Sequence, residues 1–361
     1  MLLQFIILPV LLACWPLRAE NSIPLSTCQR EKLARLVQSD ADAAGLFKKL
    51  KRQADASLND APHPFRQIAT AGRLASDAAK VESGAALTDM KKLEAFAFVY
   101  AVTTNGAYAA TAKGIILSWA KTYQPTGSPI DETKLEPLFV AYGLVRQGFA
   151  VEERKLVEDW LRLIAGRELG SVRPDSMTAS NNWQSHRLKI VGLIGFLLED
   201  RSLIDRAMSG FKKQIEDNLR PDGSSLDFHE RDALRYHCYD LEPLLTLAIA
   251  ARQYGIECYD YQSPSGASLR KAVSFLVPYC QGTHTHAEWV NSKAAFDRKR
   301  AQAGEAKFEI GARFNPLDGL RVLELACFFD RGLMPLVSKL ARRTVTSYPT
   351  WQCLLNEARR P

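Results

Sequence analysis

Apolar residues recur three or four positions apart along this chain and strict alternation is scarce, so the pattern predicts helices and few strands. Helical periodicity runs over roughly 28–56, 64–81, 88–102, 106–123, 131–148, 151–167, 180–199, 201–218, 231–254 and 265–279, with looser stretches beyond 312. In 106–123, Tyr108, Ala112, Ile115, Ile116 and Trp119 fall on one apolar stripe, as a helix facing a core requires. Turn-forming clusters separate the stretches: Gln124-Pro125-Thr126-Gly127-Ser128-Pro129, Arg173-Pro174-Asp175 and Pro221-Asp222-Gly223. A faint repeat accompanies them. Thr104-Asn105-Gly106 precedes one helix, with Ala112 and Ile116 inside it; Glu199-Asp200-Arg201 precedes another, with Ala207 and Phe211 inside it. Helical hairpins repeated in this way stack into a toroid or solenoid. The expected fold class is all-α, built of antiparallel helical hairpins.

Composition changes this picture little. The 361 residues are 47% hydrophobic, enough for a sizeable core, and no low-complexity segment or long linker divides them. Residues 20–361 therefore read as a single domain. The start differs: the apolar run Leu2–Leu12, followed by Cys14-Trp15-Pro16 and Leu17-Arg18-Ala19, is too short to span a bilayer but fits a signal-peptide core. Residues 1–19 are expected to be a leader for secretion or export to the periplasm. Leu11-Leu12-Ala13-Cys14 also has the form of a lipoprotein processing site, which would leave a lipid anchor on Cys14. Of the seven cysteines, Cys28, Cys238, Cys258, Cys280, Cys327 and Cys353 lie beyond the leader and form no CxxC pair, so most are expected to be small core residues.

Charge narrows the partner. A formal net charge of +7 favours something anionic: nucleic acid, a membrane surface or an acidic polysaccharide. The densest basic run, Arg298-Lys299-Arg300, is short and reads as a solvated helix face, so nucleic acid is not expected. Phosphate-binding Gly-rich loops, Gly-x-Ser-x-Gly and His-Glu-x-x-His are absent, and His284-x-His286 alone makes no metal site.

Two segments interrupt apolar helices with polar groups. Asn181-Asn182-Trp183-Gln184-Ser185-His186-Arg187 opens a helix, where exposed backbone N–H groups suit a carboxylate ligand, and places Asn182 and His186 on one face. Its plainer reading is a capped helix start, Ser180 or Asn181 as the cap and His186 in the core. The second segment, Asp227 to Leu244, gathers titratable groups; Asp232, Arg235, Tyr236 and Tyr239 have the spacing of one helical face. Ordinary ion pairing is the plainer account of Glu230, Asp232 and Arg235.

Both segments resemble motifs of the alginate lyase family: the one just quoted, and Arg231-Asp232-Ala233-Leu234-x-Tyr236-x-x-Tyr239-Asp240-Leu241-Glu242-Pro243-Leu244. The stretch from Trp119 to Pro137 is similar to a third family segment, while Gly266-Ala267-Ser268-Leu269 and His286-x-Glu288-x-Val290 resemble shorter ones. The likeness spans roughly residues 60 to 330. It implies an incomplete (α/α) toroid with a cleft across one face, and β-elimination on a uronic acid polymer, most simply mannuronate-containing alginate, without a required cofactor. The proton on C5 is very weakly acidic, so the chemistry needs a group to neutralise the carboxylate, a base for C5–H and an acid for the leaving O4. Where proton and leaving group share a side of the ring, one Tyr serves as both; where they are opposed, a second group acts from the other face. The resemblance assigns Tyr236 as acid and base, with Tyr239 in reserve, and Asn182 as neutraliser. His186 becomes a second neutraliser or the opposite-face base. Arg231 would hold the carboxylate or favour phenolate at Tyr236, and His229 competes for that place. Asn181, Trp183, Gln184, Arg187, Lys134 and His286 would line the substrate path, with Arg73 nearby. One departure stands out: the best-known alginate lyases have a His directly after the Asn pair, where this chain has Trp183. Two other readings fit: a toroidal glycoside hydrolase using Asp227, Glu230 and Asp240, and a polyuronate-binding protein without catalysis.

Overall fold

The computed structural model describes residues 23–344 and 346–360. The leader and Cys14 lie outside the described residues. Among the described residues seventeen α-helices follow one another: α1 Thr27–Ser39, α2 Ala41–Ser57, α3 Ala78–Ala86, α4 Thr88–Thr103, α5 Gly106–Thr122, α6 Pro129–Glu132, α7 Glu136–Val145, α8 Val151–Gly170 and α9 Asn182–Leu198. Then come α10 Arg201–Asn218, α11 Leu226–Arg231, α12 Leu234–Gln253, α13 Leu269–Gln281, α14 Ala295–Gln302, α15 Leu320–Ala326, α16 Met334–Leu340 and α17 Trp351–Arg359. Among the described residues the only β pairing is two isolated bridges, Leu219 with Ser225 and Ala287 with Arg313.

The faint sequence repeat is a repeated hairpin. Thr104 and Glu199 are both left-handed residues ending a helix, with φ of 56° and 54°. Each is followed by a capping residue: Asn105 accepts from the Ala107 N–H and Asp200 from the Leu203 N–H. One residue reverses the chain and the next starts the return helix, each cap contributing about 1 kcal/mol. Stacked hairpins form the (α/α) toroid. Its successive inner helices α4, α7, α9, α12, α15 and α17 pack side by side, and α1 meets both α17 and α4. From Ser185 to Leu197, α9 is buried on every side. Gly192 permits this, because a Cβ there would stand 2.4 Å from the Leu247 side chain of α12.

Some expected helices are shortened or broken. Asp40 takes extended backbone and splits 28–56 into α1 and α2, its side chain capping the second. Most of 64–81 is not helical. There the Asp131 carboxylate accepts from the Thr70 and Ala71 N–H groups, Ser83 Oγ from Ala69, and Asp89 from His63. Side chains distant in sequence satisfy this loop's backbone, so no helix is needed to do so. Asp232, at φ 48°, breaks 231–254, so the shared face proposed for Asp232, Arg235, Tyr236 and Tyr239 begins only at Leu234. All six described cysteines beyond the leader are unpaired, and all but Cys28 are buried.

Candidate active site

The head of α12 carries Arg235, Tyr236 and Tyr239 into a cleft of about 360 Å³, whose walls include Thr70, Lys80, Lys134, Glu242, Arg300, Phe308, Asp318 and Arg321. A helix start leaves backbone N–H groups without intrahelical acceptors, and Ala233 has no side chain to cap them. Glu288 does so from a distant segment, its carboxylate accepting from Leu234 N–H at 2.8 Å and Arg235 N–H at 3.2 Å. The same segment fixes the Asp232 bend: Trp289 N–H donates to the Asp232 carbonyl at 2.7 Å, and Asn291 N–H to its carboxylate at 2.8 Å. A carboxylate at the positive end of α12 stabilises the turn that presents Tyr236.

Two guanidinium groups meet Tyr236. Arg300 Nη1 donates to its phenol oxygen at 3.1 Å, and the Arg231 guanidinium lies over the ring, 4.3 Å from its centre. Asp297 accepts from Arg231 Nη1 at 2.5 Å and stands 3.9 Å from Arg300 Nη1. Tyr239 lies one turn further on, its ring 6.1 Å from that of Tyr236. Burial, then the neighbouring Tyr236 and Glu242, push the Tyr239 phenol well up, so it keeps its proton. Two ion pairs also line the cleft: Arg235 with Asp318 at 2.6 Å and Arg321 with Glu242 at 3.8 Å. Burial, then Lys189, lower the proton affinity of Lys134.

Asn182 and His186 lie beneath this floor, 1% and 3% exposed. Asp227 takes both the backbone N–H and the side-chain amide of Asn182. Asp227 is joined through Asn218 to Asp240, which accepts from Ser185 Oγ at 2.6 Å. Burial pushes Asp227 up to about 6, and burial with the Asp227 charge raises Asp240 far above the carboxylate range. These two carboxyls form a buried pair within the protein, not opposing walls of a cleft; Glu230 pairs with Lys293 at 2.8 Å. His186 Nδ1 bonds Thr133 Oγ1 at 2.9 Å, and its ring lies 4.4 Å from that of Tyr239. Burial, then Lys189 and Lys134, hold His186 neutral.

The remaining expected residues divide. Lys134 and Tyr239 line the cleft. Asn181 caps α9, accepting from Trp183 N–H, and Trp183 is half-buried in the first turn. Gln184 accepts from Arg187 at 2.6 Å; buried Arg187 also faces Glu168 at 3.6 Å. His286 contacts the Asp232 carbonyl at 3.1 Å and braces the bend, whereas His284 turns away against the Tyr279 ring. Arg73 pairs with Asp77. His229 bonds Ser224. The basic run departs from its expected solvated face: Arg298 and Lys299 are exposed, but the Arg300 side chain is 12% exposed and turned inward. Arg300, Asp297, Lys80 and Glu288 are among the site residues that composition and spacing left unassigned. Only the His286-x-Glu288 likeness pointed at one of them.

The chain is 24% identical over 177 residues to the exo-oligoalginate lyase of Saccharophagus degradans, a stretch covering 42% of this chain and 23% of that protein. The chain thus spans about a quarter of that curated relative's length. An alginate lyase from Bacteroides ovatus superposes with a TM-score of 0.66 at 17% identity, covering 91% of this chain and 97% of the other. Alginate lyase A1-III from Sphingomonas species A1 superposes at 0.58 and 18% identity, covering 81% and 93%. At such identities the superpositions establish the shared fold. The sequence model of the alginate lyase family matches residues 35–287, and on that match this chain belongs to the alginate lyase family.

Proposed function

We propose that this protein is a polysaccharide lyase that cleaves mannuronate-containing alginate by β-elimination, with Tyr236 as both base and acid. The observation that carries this reading is Tyr236 itself: a half-buried phenol in the cleft, with one guanidinium on its oxygen and a second on its ring face. Cations placed this way meet the negative charge that the oxygen carries while it removes a proton from a weakly acidic carbon. The phenolate takes the C5 proton, the C5–H electron pair becomes the C4–C5 double bond, and the C4–O4 bond breaks. The same phenol returns its proton to O4. Lys134 and Lys80 supply positive charge for the substrate carboxylates, which stabilises the charge developing beside C5. Tyr239, which keeps its proton, is a hydrogen-bond donor to the sugar.

The cleft wall carries phenols while the imidazole of His186 lies below it. Chemistry from one face suits a sugar whose C5 proton and O4 are on the same side, as in mannuronate. Asn182 and His186 are assigned here as supports of the floor, acting on the substrate through Thr133 and Tyr239. Trp183 and Arg187 stay in reserve for sugar contacts at the rim. The apolar run at the start of the chain is the basis for proposing export of a single domain, residues 20–361.

The test is the mass of the products from polymannuronate. Elimination gives fragments whose masses sum to that of the starting chain, with a new double bond; hydrolysis adds one water per cut. Hydrated, saturated products would replace this reading with the hydrolase, and tight binding with no products would leave a binding protein.

A further inference from the structure

We propose that Arg300, locked in place by Asp297, Phe296 and Phe308, is the positioning residue that holds the Tyr236 oxygen for proton transfer. The proposal rests on the lyase reading above and adds a residue from a segment outside the two long motifs of α9 and α12.

The geometry is that of a built clamp. Arg300 is on α14, and its guanidinium stacks on both Phe296 and Phe308, 4.3 and 4.4 Å from their ring centres. Planar stacking on two rings leaves the guanidinium edge free to donate, and it does so to Tyr236. Asp297, 1% exposed on its side chain, is fixed by Ser292 Oγ at 2.7 Å and bonds Arg231 at the same time. One buried carboxylate therefore orients both cations around one phenol. Their tasks differ. Arg231 faces the ring and gives no hydrogen bond to the oxygen, whereas Arg300 donates to the oxygen whose charge changes during the reaction. A hydrogen bond from a cation strengthens as negative charge builds on its acceptor, so Arg300 grips the oxygen most firmly during proton transfer and fixes its direction.

The groups around Tyr236 are Arg231 from α11, Asp297 and Arg300 from α14, Tyr239 from α12, and the Trp289 ring edge-on at 5.6 Å. Across the cleft lie Lys134 and Lys80; Arg235 and Asp318 neutralise each other, as do Arg321 and Glu242. Among these, Arg300 makes the hydrogen bond to the phenol oxygen.

The experiment compares kcat and KM across pH for the full chain, Arg300→Gln and Arg300→Lys, on polymannuronate. Arg300→Gln is expected to lose roughly ten- to a hundredfold in kcat, the worth of a hydrogen bond to a charged group, with KM little changed. The acid limb of kcat/KM should move to higher pH in Arg300→Gln and return most of the way in Arg300→Lys. A uniform loss at every pH, or a rise in KM at constant kcat, would overturn the proposal, the latter making Arg300 a carboxylate binder. Failure of the lyase reading is separated by a titration that needs no turnover. The tyrosinate absorbance of the protein minus that of Tyr236→Phe isolates one phenol; the same difference is taken in the Arg300→Gln background. A signal displaced to higher pH in that background supports the clamp even in an inactive protein, and an unmoved signal rejects it.

Discussion

The start of α9 and the head of α12 both bring polar residues into apolar surroundings, and both carry family motifs, yet they do opposite things with them. At α9 the chain satisfies its own groups: Asn182 binds Asp227, Ser185 binds Asp240 and His186 binds Thr133. At α12 the phenol of Tyr236 stands at a cleft, on a helix head held by Glu288, and the cations around it are oriented by Asp297. Inward-facing polar residues close a network; cleft-facing ones leave a reactive atom open to a ligand. Sequence spacing assigns a face to each but does not say which face is wet.

The sharpest way to break this contrast is Tyr236→Phe, which removes one oxygen. It should reduce kcat by about 10²- to 10⁴-fold, the usual worth of a positioned acid–base group, with thermal stability unchanged. Asn182→Ala belongs to the other region. It leaves buried Asp227 short of donors and should cost about 1–3 kcal/mol in denaturant melts, while kcat of the folded fraction falls far less than in Tyr236→Phe. The reverse outcome, intact stability and lost turnover, would make α9 part of the reacting surface.

Acidity sharpens the contrast further. Burial and the Glu132 carboxylate push Glu168, beneath Arg187, up to about 10. A carboxyl whose folded value is raised gives its full stability below the unfolded value, 4.5 here, and loses it as pH rises towards about 10. Asp227 acts in the same direction, its contribution complete below 3.8 and lost as pH rises through about 6. The melting temperature should therefore fall with rising pH, and Glu168→Gln should flatten the alkaline part of that fall; an unchanged slope would mean Glu168 ionises without cost. The smallest expected effect is at the brace of the cleft. Glu288→Gln weakens the cap of α12 by about 0.3–1 kcal/mol, measurable as a small drop in melting temperature with activity largely kept.

Much of the toroid was legible because its hairpins are local. The αL-then-cap pairs at Thr104-Asn105 and Glu199-Asp200, and the Pro and Gly clusters, mark turns in the sequence itself. Residues 64–77 were not legible, since their order comes from Asp131, Ser83 and Asp89, which replace helical hydrogen bonds from elsewhere in the chain. The site divides in the same way. The likeness to family motifs singled out Tyr236, Tyr239 and Lys134, and all three line one cleft. Arg300 was not singled out, because its neighbours Arg298 and Lys299 are solvated and its inward turn depends on Phe296, Phe308, Asp297 and Tyr236, which meet it in the fold.

In the proposed reaction one phenol, working from one face of the sugar, performs both proton transfers. The measurement that tests it most directly is the initial rate of double-bond absorbance on polymannuronate and on polyguluronate, for the full chain beside Tyr236→Phe. A clear rate on polymannuronate, a much slower one on polyguluronate, and neither in the variant are expected. Equal or faster cleavage of polyguluronate, or a variant that keeps its rate, would contradict it.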